Sequence, residues 1–161
     1  MNNNLNHSLL KNVAGGFPTG VTIVTLETNK GAIKGLTASS FVSISLDPPL
    51  IGFFITIGSS IMEHISINKK LAVSILSSDQ KAISNQFAGL NQIDIKVNFT
   101  SNNNYHRISE ALAWYETVVE NIMPAGDHHL ILCKVVALER DPSKSPLVYY
   151  SGYKEIGKDI I

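Results

Sequence analysis

A chain of 161 residues that is 44% hydrophobic has the length of one domain and enough apolar material for a continuous core. Its 13 basic and 13 acidic side chains cancel, which excludes a general electrostatic claim on nucleic acid or on an anionic membrane. A single cysteine, Cys133, excludes a disulfide framework and a cysteine-rich metal site, and fits a reducing, cytoplasmic setting.

The N-terminal MNNNLNHSLLKNVAGG has no unbroken apolar run and does not read as a secretory signal. Leu5, Leu9, Leu10 and Val13 share one helical face, so residues 5–14 read as a short helix. Residues 1–12 then form a helical extension of one domain spanning 1–161. GGFPTG breaks the helix, and the β-branched alternation of VTIVTLE (21–27) reads as a strand. TNKG is a hairpin turn with Gly31 at its positive-φ position. Strands are expected at 33–37, 40–46 and 50–57, with LDPPL turning the chain between the last two. SSIMEHISINKK reads as a helix opened by a Ser60–Glu63 capping box, with Ile61 and Ile65 on its inner face. LAVSILS (71–77) is a strand. SDQKAISNQFAGL is a second helix, with Asp79 as N-cap, Ile83 and Phe87 as the buried pair and Gly89 as terminator. The polar stretch 91–108 reads as a long loop, and three long strands follow at 111–121, 128–139 and 146–154. Hairpin-linked strands with short helices between them predict a mainly β protein, a barrel with peripheral helices. The connections are too short for parallel crossovers. PPLIGFFITIG, the longest apolar stretch, is too short to span a bilayer.

Three segments carry polar groups in unusual company. In GLTASSFVSISLDPPLIGFF, small hydroxylated residues interrupt an apolar strand region. They let a ligand lie against the backbone, and their hydroxyls and N–H groups match a flat heterocycle with alternating carbonyls and ring N–H. From composition alone, a strand edge with ordinary hydroxyls explains them as well. FFITIGSS runs from an apolar strand to a helix start at Ser59–Ser60, a setting that binds phosphate; simple capping by Ser60 is the alternative. In GDHHLIL, His128 and His129 open a strand and so point to opposite faces. They cannot both line one site, and His7, His64 and His106 are scattered, so a zinc site is not expected. No glycine-rich nucleotide loop and no nucleophile elbow occurs. Tyr149, Tyr150 and Tyr153 cluster near the C-terminus, suited to packing a core edge or covering a ring.

Taken in order, FPTGVTIVT, GLTASSFVSISLDPPLI, the Ser59–Ser60 pair, QFAG, ALAWYETVVEN, AGDHHLIL and PLVYYSGYKEI resemble the flavin reductase-like family over about residues 13–157. These are split-barrel reductases that often serve two-component monooxygenases. The resemblance implies an FMN-binding split β-barrel, Greek-key-like, with FMN or FAD as cofactor and NAD(P)H as cosubstrate. It places Thr37, Ala38, Ser39 and Ser40 along the polar edge of the flavin ring, with Phe54 among the cofactor contacts. Ser59 and Ser60 match the phosphate-binding turn, and Asn85 and Phe87 the helix that touches the cofactor. His128 matches a histidine beside the ring that orients the nicotinamide, which makes it the catalytic candidate. Tyr150 and Tyr153 match a segment near the cosubstrate. NNNYHRISEALAW stands where many members carry a Gly-x-Pro element.

The implied activity is hydride transfer from NAD(P)H to flavin, with reduced flavin passing to a partner monooxygenase. The alternative is an FMN-binding electron carrier that does not itself oxidise NAD(P)H. The low charge of the site segments favours NADH over NADPH, because an arginine usually reads the extra phosphate. A charged fraction of only 16% points to surface covered in a homodimer.

Overall fold

The computed structural model describes residues 6–91 and 94–155. A helix, α1 (His7–Ala14), precedes the strands β1 (Thr19–Gly20), β2 (Thr22–Glu27), β3 (Ile33–Ala38), β4 (Val42–Leu46), β5 (Pro49–Thr56) and β6 (Lys70–Ile75). The helix α2 (Lys81–Phe87) follows, then β7 (Phe99–Asn102), β8 (Tyr105–Ile108), β9 (Ala113–Ala125), β10 (His128–Arg140), β11 (Leu147–Tyr149) and β12 (Tyr153–Glu155). Seven strands make one antiparallel sheet in the order β3-β2-β6-β9-β10-β5-β4.

The two edge strands of that sheet, β3 and β4, are consecutive in the chain and joined by only Ser39–Phe41. So short a link forces the sheet to curl until its edges meet. They meet without a ladder: β3 touches β5, and Ser40 Oγ accepts from Phe54 N–H at 2.9 Å. The result is a barrel split along one seam. Its interior holds Val24, Leu26, Phe53, Ile55, Leu71, Val73, Val119, Ile131 and Cys133. A second core lies outside the barrel wall, where Val21, Ile23, Leu76, Ile108 and Leu147 pack with Ile83, Phe87 and Phe99. β2 is therefore buried on both faces, its odd residues under α2 and the β7–β8 hairpin, its even residues inside.

Several local expectations change. Residues 99–108 form the β7–β8 hairpin rather than a loop, turning at Asn103 and Asn104, both at positive φ (46° and 67°). Two consecutive left-handed residues are the signature of a type I′ turn, and asparagine tolerates that conformation. The hairpin is held to β2 by His106, which bonds Glu27 Oε2 and Ser101 Oγ, each at 2.8 Å. The segment after β5 is a single 3-10 turn, Met62–His64, with no side-chain cap. Ile61 and Ile65 do enter the core, but Ile65 is already extended and β6 starts five residues later, so no room remains for a helix. The capping residue is Ser77 rather than Asp79, and it opens a 3-10 turn, Ser78–Gln80, that leads into α2. Its N–H donates to Gln80 Oε1 at 3.2 Å, and Asp79 accepts from Ser77 Oγ at 2.6 Å. The last expected strand is two, β11 and β12, because Ser151 and Gly152 turn the chain at positive φ.

α1 begins at Asn6, whose side chain accepts from Leu9 N–H at 2.7 Å; Leu5 lies outside the described residues. None of its residues is buried, and Leu9, Leu10 and Val13 stand exposed.

Candidate functional site

The face of β5 turned away from the core carries Phe54 and Thr56, because alternate residues share a face and Phe53 and Ile55 point inward. Across the ladder, His128 is paired with Thr56 and Leu130 with Phe54. His128 is fixed at both nitrogens. Nδ1 donates to Asp127 Oδ1 at 2.6 Å, and Nε2 lies 3.1 Å from Thr56 Oγ1. With the proton on Nδ1, Nε2 accepts from the threonine hydroxyl. The Asp127 carboxyl is held below its usual range, first by the hydrogen bond from His128 and then by the charge of that ring. His129 leaves on the other face, and its Nδ1 is buried without a partner.

The Thr37–Ser40 segment ends β3 at the seam. Thr37 Oγ1 donates to Ser84 O at 2.7 Å, which binds the strand to α2. Ala38 is buried, and its carbonyl accepts from Thr22 Oγ1 at 2.7 Å. Ser40 bridges to Phe54. Ser39 alone of the four is exposed. Beside it opens a cleft of about 220 Å3 lined by uncharged residues, among them Thr37, Ser39, Ser84, Leu90, Tyr149 and Tyr153. Tyr149 and Tyr153 face each other across the terminal hairpin in a T-shaped pair, ring centres 5.5 Å apart. The Tyr153 hydroxyl shares a 2.9 Å hydrogen bond with Ser84 Oγ. Thus α2, β3 and the C-terminal hairpin are bound into one wall.

The remaining sequence candidates fall unevenly. Ser59 and Ser60 follow β5 in a turn where Ser59 N–H donates to Thr56 O and Ser59 O accepts from Met62 N–H. The turn leaves the serines at the right end of β5, but no helix starts there, so the dipole argument fails. Asn85 is half-buried on α2. Phe87 is accounted for by packing. Its ring lies directly on Gly35, where an added Cβ would come within 2.7 Å of Cε1, and it meets Phe99 edge-on. Tyr150 is exposed and does not line the cleft; Tyr149 does. The sequence reading names Tyr149 with Tyr150 and Tyr153, without choosing between packing and covering a ring, and does not single out Thr56, Asp127 or Ser84. A signal existed for two of them: Asp127 is adjacent to His128, and Thr56, two residues after Phe54, shares its strand face.

These residues fit a flavin. The cleft offers a free Ser39 hydroxyl and aromatic rings with no fixed charge, which suits a neutral planar heterocycle. Phe54 adds an apolar surface on the far side of the Ser40 bridge, and Ser59 and Ser60 add hydroxyls beyond Thr56.

The model of the flavin reductase like domain matches residues 14–157. The chain belongs to the flavin reductase-like family. Among its relatives in this family is an NADH-dependent flavin reductase of a Rhodococcus species, 34% identical over 145 residues, covering 89% of this chain and 82% of the relative. Another is the reductase component of a flavin-dependent trigonelline monooxygenase from Acinetobacter baylyi, 34% identical over 128 residues. That match covers 78% of this chain but only 41% of the relative. The solved flavin reductase PheA2, in its native state, superposes with a TM-score of 0.88 at 36% identity, over 96% of this chain and 100% of that one. The split, seamed sheet is thus the flavin reductase-like fold.

Proposed function

We propose that this chain is an NADH-dependent flavin reductase that binds FMN or FAD in the groove running from the Tyr149–Tyr153 cleft across the Ser40–Phe54 seam to His128. The observation that carries the reading is the seam itself. Ser39 and Ser40 lie in the short link that leaves edge strand β3, Phe54 and Thr56 on β5 with His128 beside Thr56 on β10, and the Ser40 hydroxyl ties that link to Phe54.

Bound flavin supplies the hydride acceptor. The chain's residues bind and orient. Thr37, Ala38 and Ser39 line the polar edge of the ring, Phe54 covers an apolar part, and Ser59 and Ser60 receive the phosphate end. Asn85 on α2 and Tyr153 on the terminal hairpin close the wall, and Tyr150 stands at its rim. His128, clamped by Asp127 and Thr56, orients the nicotinamide. Hydride transfer itself needs no general acid or base. The cosubstrate is NADH rather than NADPH, since no arginine lines the cleft to read a 2′-phosphate.

The reduced flavin serves a partner monooxygenase, a role supported by the Acinetobacter relative. The working unit is a homodimer. Leu9, Leu10, Val13 and Phe17 form an apolar surface that nothing in the described chain covers. Among the described residues no helix is long and apolar enough to cross a membrane, and the protein works in the cytoplasm.

Flavin titration followed by NADH oxidation tests the reading. Saturable FMN or FAD binding with NADH turnover is expected. Flavin binding without oxidation of either nicotinamide would instead indicate an electron carrier.

A further inference from the structure

The two hydrogen bonds that clamp His128 also decide which part of its ring is left for a ligand. Nδ1 donates to Asp127 Oδ1 at 2.6 Å, and Nε2 lies 3.1 Å from Thr56 Oγ1. A neutral imidazole has one donor nitrogen and one acceptor nitrogen. Here Asp127 takes the donor and the Thr56 hydroxyl fills the acceptor. A protonated ring would donate at both positions, to the same two partners. In neither state does a nitrogen remain to meet a carboxamide. The His128 side chain is nonetheless 39% exposed, so what it presents to solvent is ring carbon and ring face.

The directions of the two bonds set the plane of that ring. Asp127 stands in the turn just before β10, so the Nδ1 bond runs back along the strand. Thr56 is the ladder partner of His128 on β5, so the Nε2 bond runs across the sheet. A planar ring tied in both directions lies along the sheet surface and turns one face outward. On its other flank the ladder partner is Ala125 of β9, whose methyl group is too short to cover it.

On the reading of this groove as the flavin reductase site, we propose that Thr56 is a positioning residue for hydride transfer: by holding Nε2 it lays the His128 ring flat, so that the ring face, and neither nitrogen, meets the nicotinamide. An aromatic face suits a flat six-membered ring, which stacks on it in an offset arrangement. A nitrogen contact would first have to break the bond to Thr56.

NAD+ with oxidised FMN gives no turnover, so the contact can be read without catalysis. The FMN-loaded protein, isotope-labelled in its histidine nitrogens, is titrated with NAD+ and followed by long-range proton–nitrogen NMR. His128→Phe assigns the peaks of His128 among the five histidines. The His128 ring protons should move upfield by ring current while both of its nitrogen resonances stay in place. A large displacement of the Nε2 resonance would mean that Thr56 has been exchanged for the carboxamide and would overturn the proposal. Stopped-flow reduction supplies the second readout. Thr56→Val, which keeps the shape and drops the hydroxyl, should slow reduction about ten-fold at saturating NADH, and Thr56→Ser should return it to within about three-fold of wild type. His128→Phe, a face without nitrogens, should reduce flavin at least about ten-fold faster than His128→Asn, an amide without a face. Thr56→Val as fast as wild type, or His128→Asn as fast as His128→Phe, would also overturn it. FMN is titrated first in every variant. Bound FMN with no His128 response to NAD+ overturns this proposal and leaves the flavin site standing, whereas a protein that binds no FMN overturns the flavin reading and this proposal with it.

Discussion

Ser40 donates to Phe54 O at 3.3 Å and accepts from Phe54 N–H at 2.9 Å, so a single hydroxyl holds the seam at the point where the flavin is proposed to lie. Ser40→Ala should cost about 1 kcal/mol, a fall in Tm of about 2–4 °C, and loosen flavin binding with it. His128 is the residue proposed to orient the cosubstrate. His128→Ala should leave flavin affinity near wild type and lower kcat/KM for NADH by about 1–3 kcal/mol of transition-state stabilisation, with His129→Ala as control on the opposite face. Asp127→Asn should slow reduction by loosening the His128 ring. The hydrogen bond from His128 lowers the Asp127 carboxyl, so the contact is fully formed above the ordinary carboxylate range and is lost only as pH falls through the lowered value. Stopped-flow reduction at matched flavin occupancy checks all three. Cys133 is the opposite case. Burial pushes its thiol up to about 12, so at pH 8 only about one molecule in ten thousand carries a thiolate, and iodoacetamide should label it only after unfolding.

The elements of the main sheet were legible because their sequences carry their own periodicity. VTIVTLE and LAVSILS read as strands, and they are β2 and β6. The β7–β8 hairpin was not legible by that route, since it buries only Tyr105 and Ile108 and looks polar throughout. Its real signal was the Asn103–Asn104 turn between two short runs. The Ser60–Glu63 pattern misled for a converse reason: the local capping signal was present, but five residues before β6 leave no length for a helix to propagate. For the site, sequence likeness named residue types but not their partners. Phe87 illustrates this, since nothing in the chain order predicts that Gly35 admits its ring. Gly35→Ala should therefore displace α2, costing about 1–3 kcal/mol, and weaken flavin binding by moving the Ser84–Tyr153 wall; denaturant midpoints and flavin titration measure both.

On the scale of the whole molecule, the proposed ligand groove depends on a barrel that is not fully closed. A complete ladder between β3 and β5 would occupy the backbone groups and the space at the seam. The exposed apolar face of α1 is a second whole-molecule feature, and a homodimer that covers it should sediment at twice the 17.5 kDa chain mass at micromolar concentration. A single 17.5 kDa species would count against that assembly. Arranging the seam, the cleft and the His128 clamp around one groove makes a direct demand on chemistry. Anaerobic mixing of the FMN-loaded protein with NADH should bleach the flavin absorbance in a single turnover, faster than with NADPH. Flavin that stays oxidised with both nicotinamides, while demonstrably bound, would contradict the account.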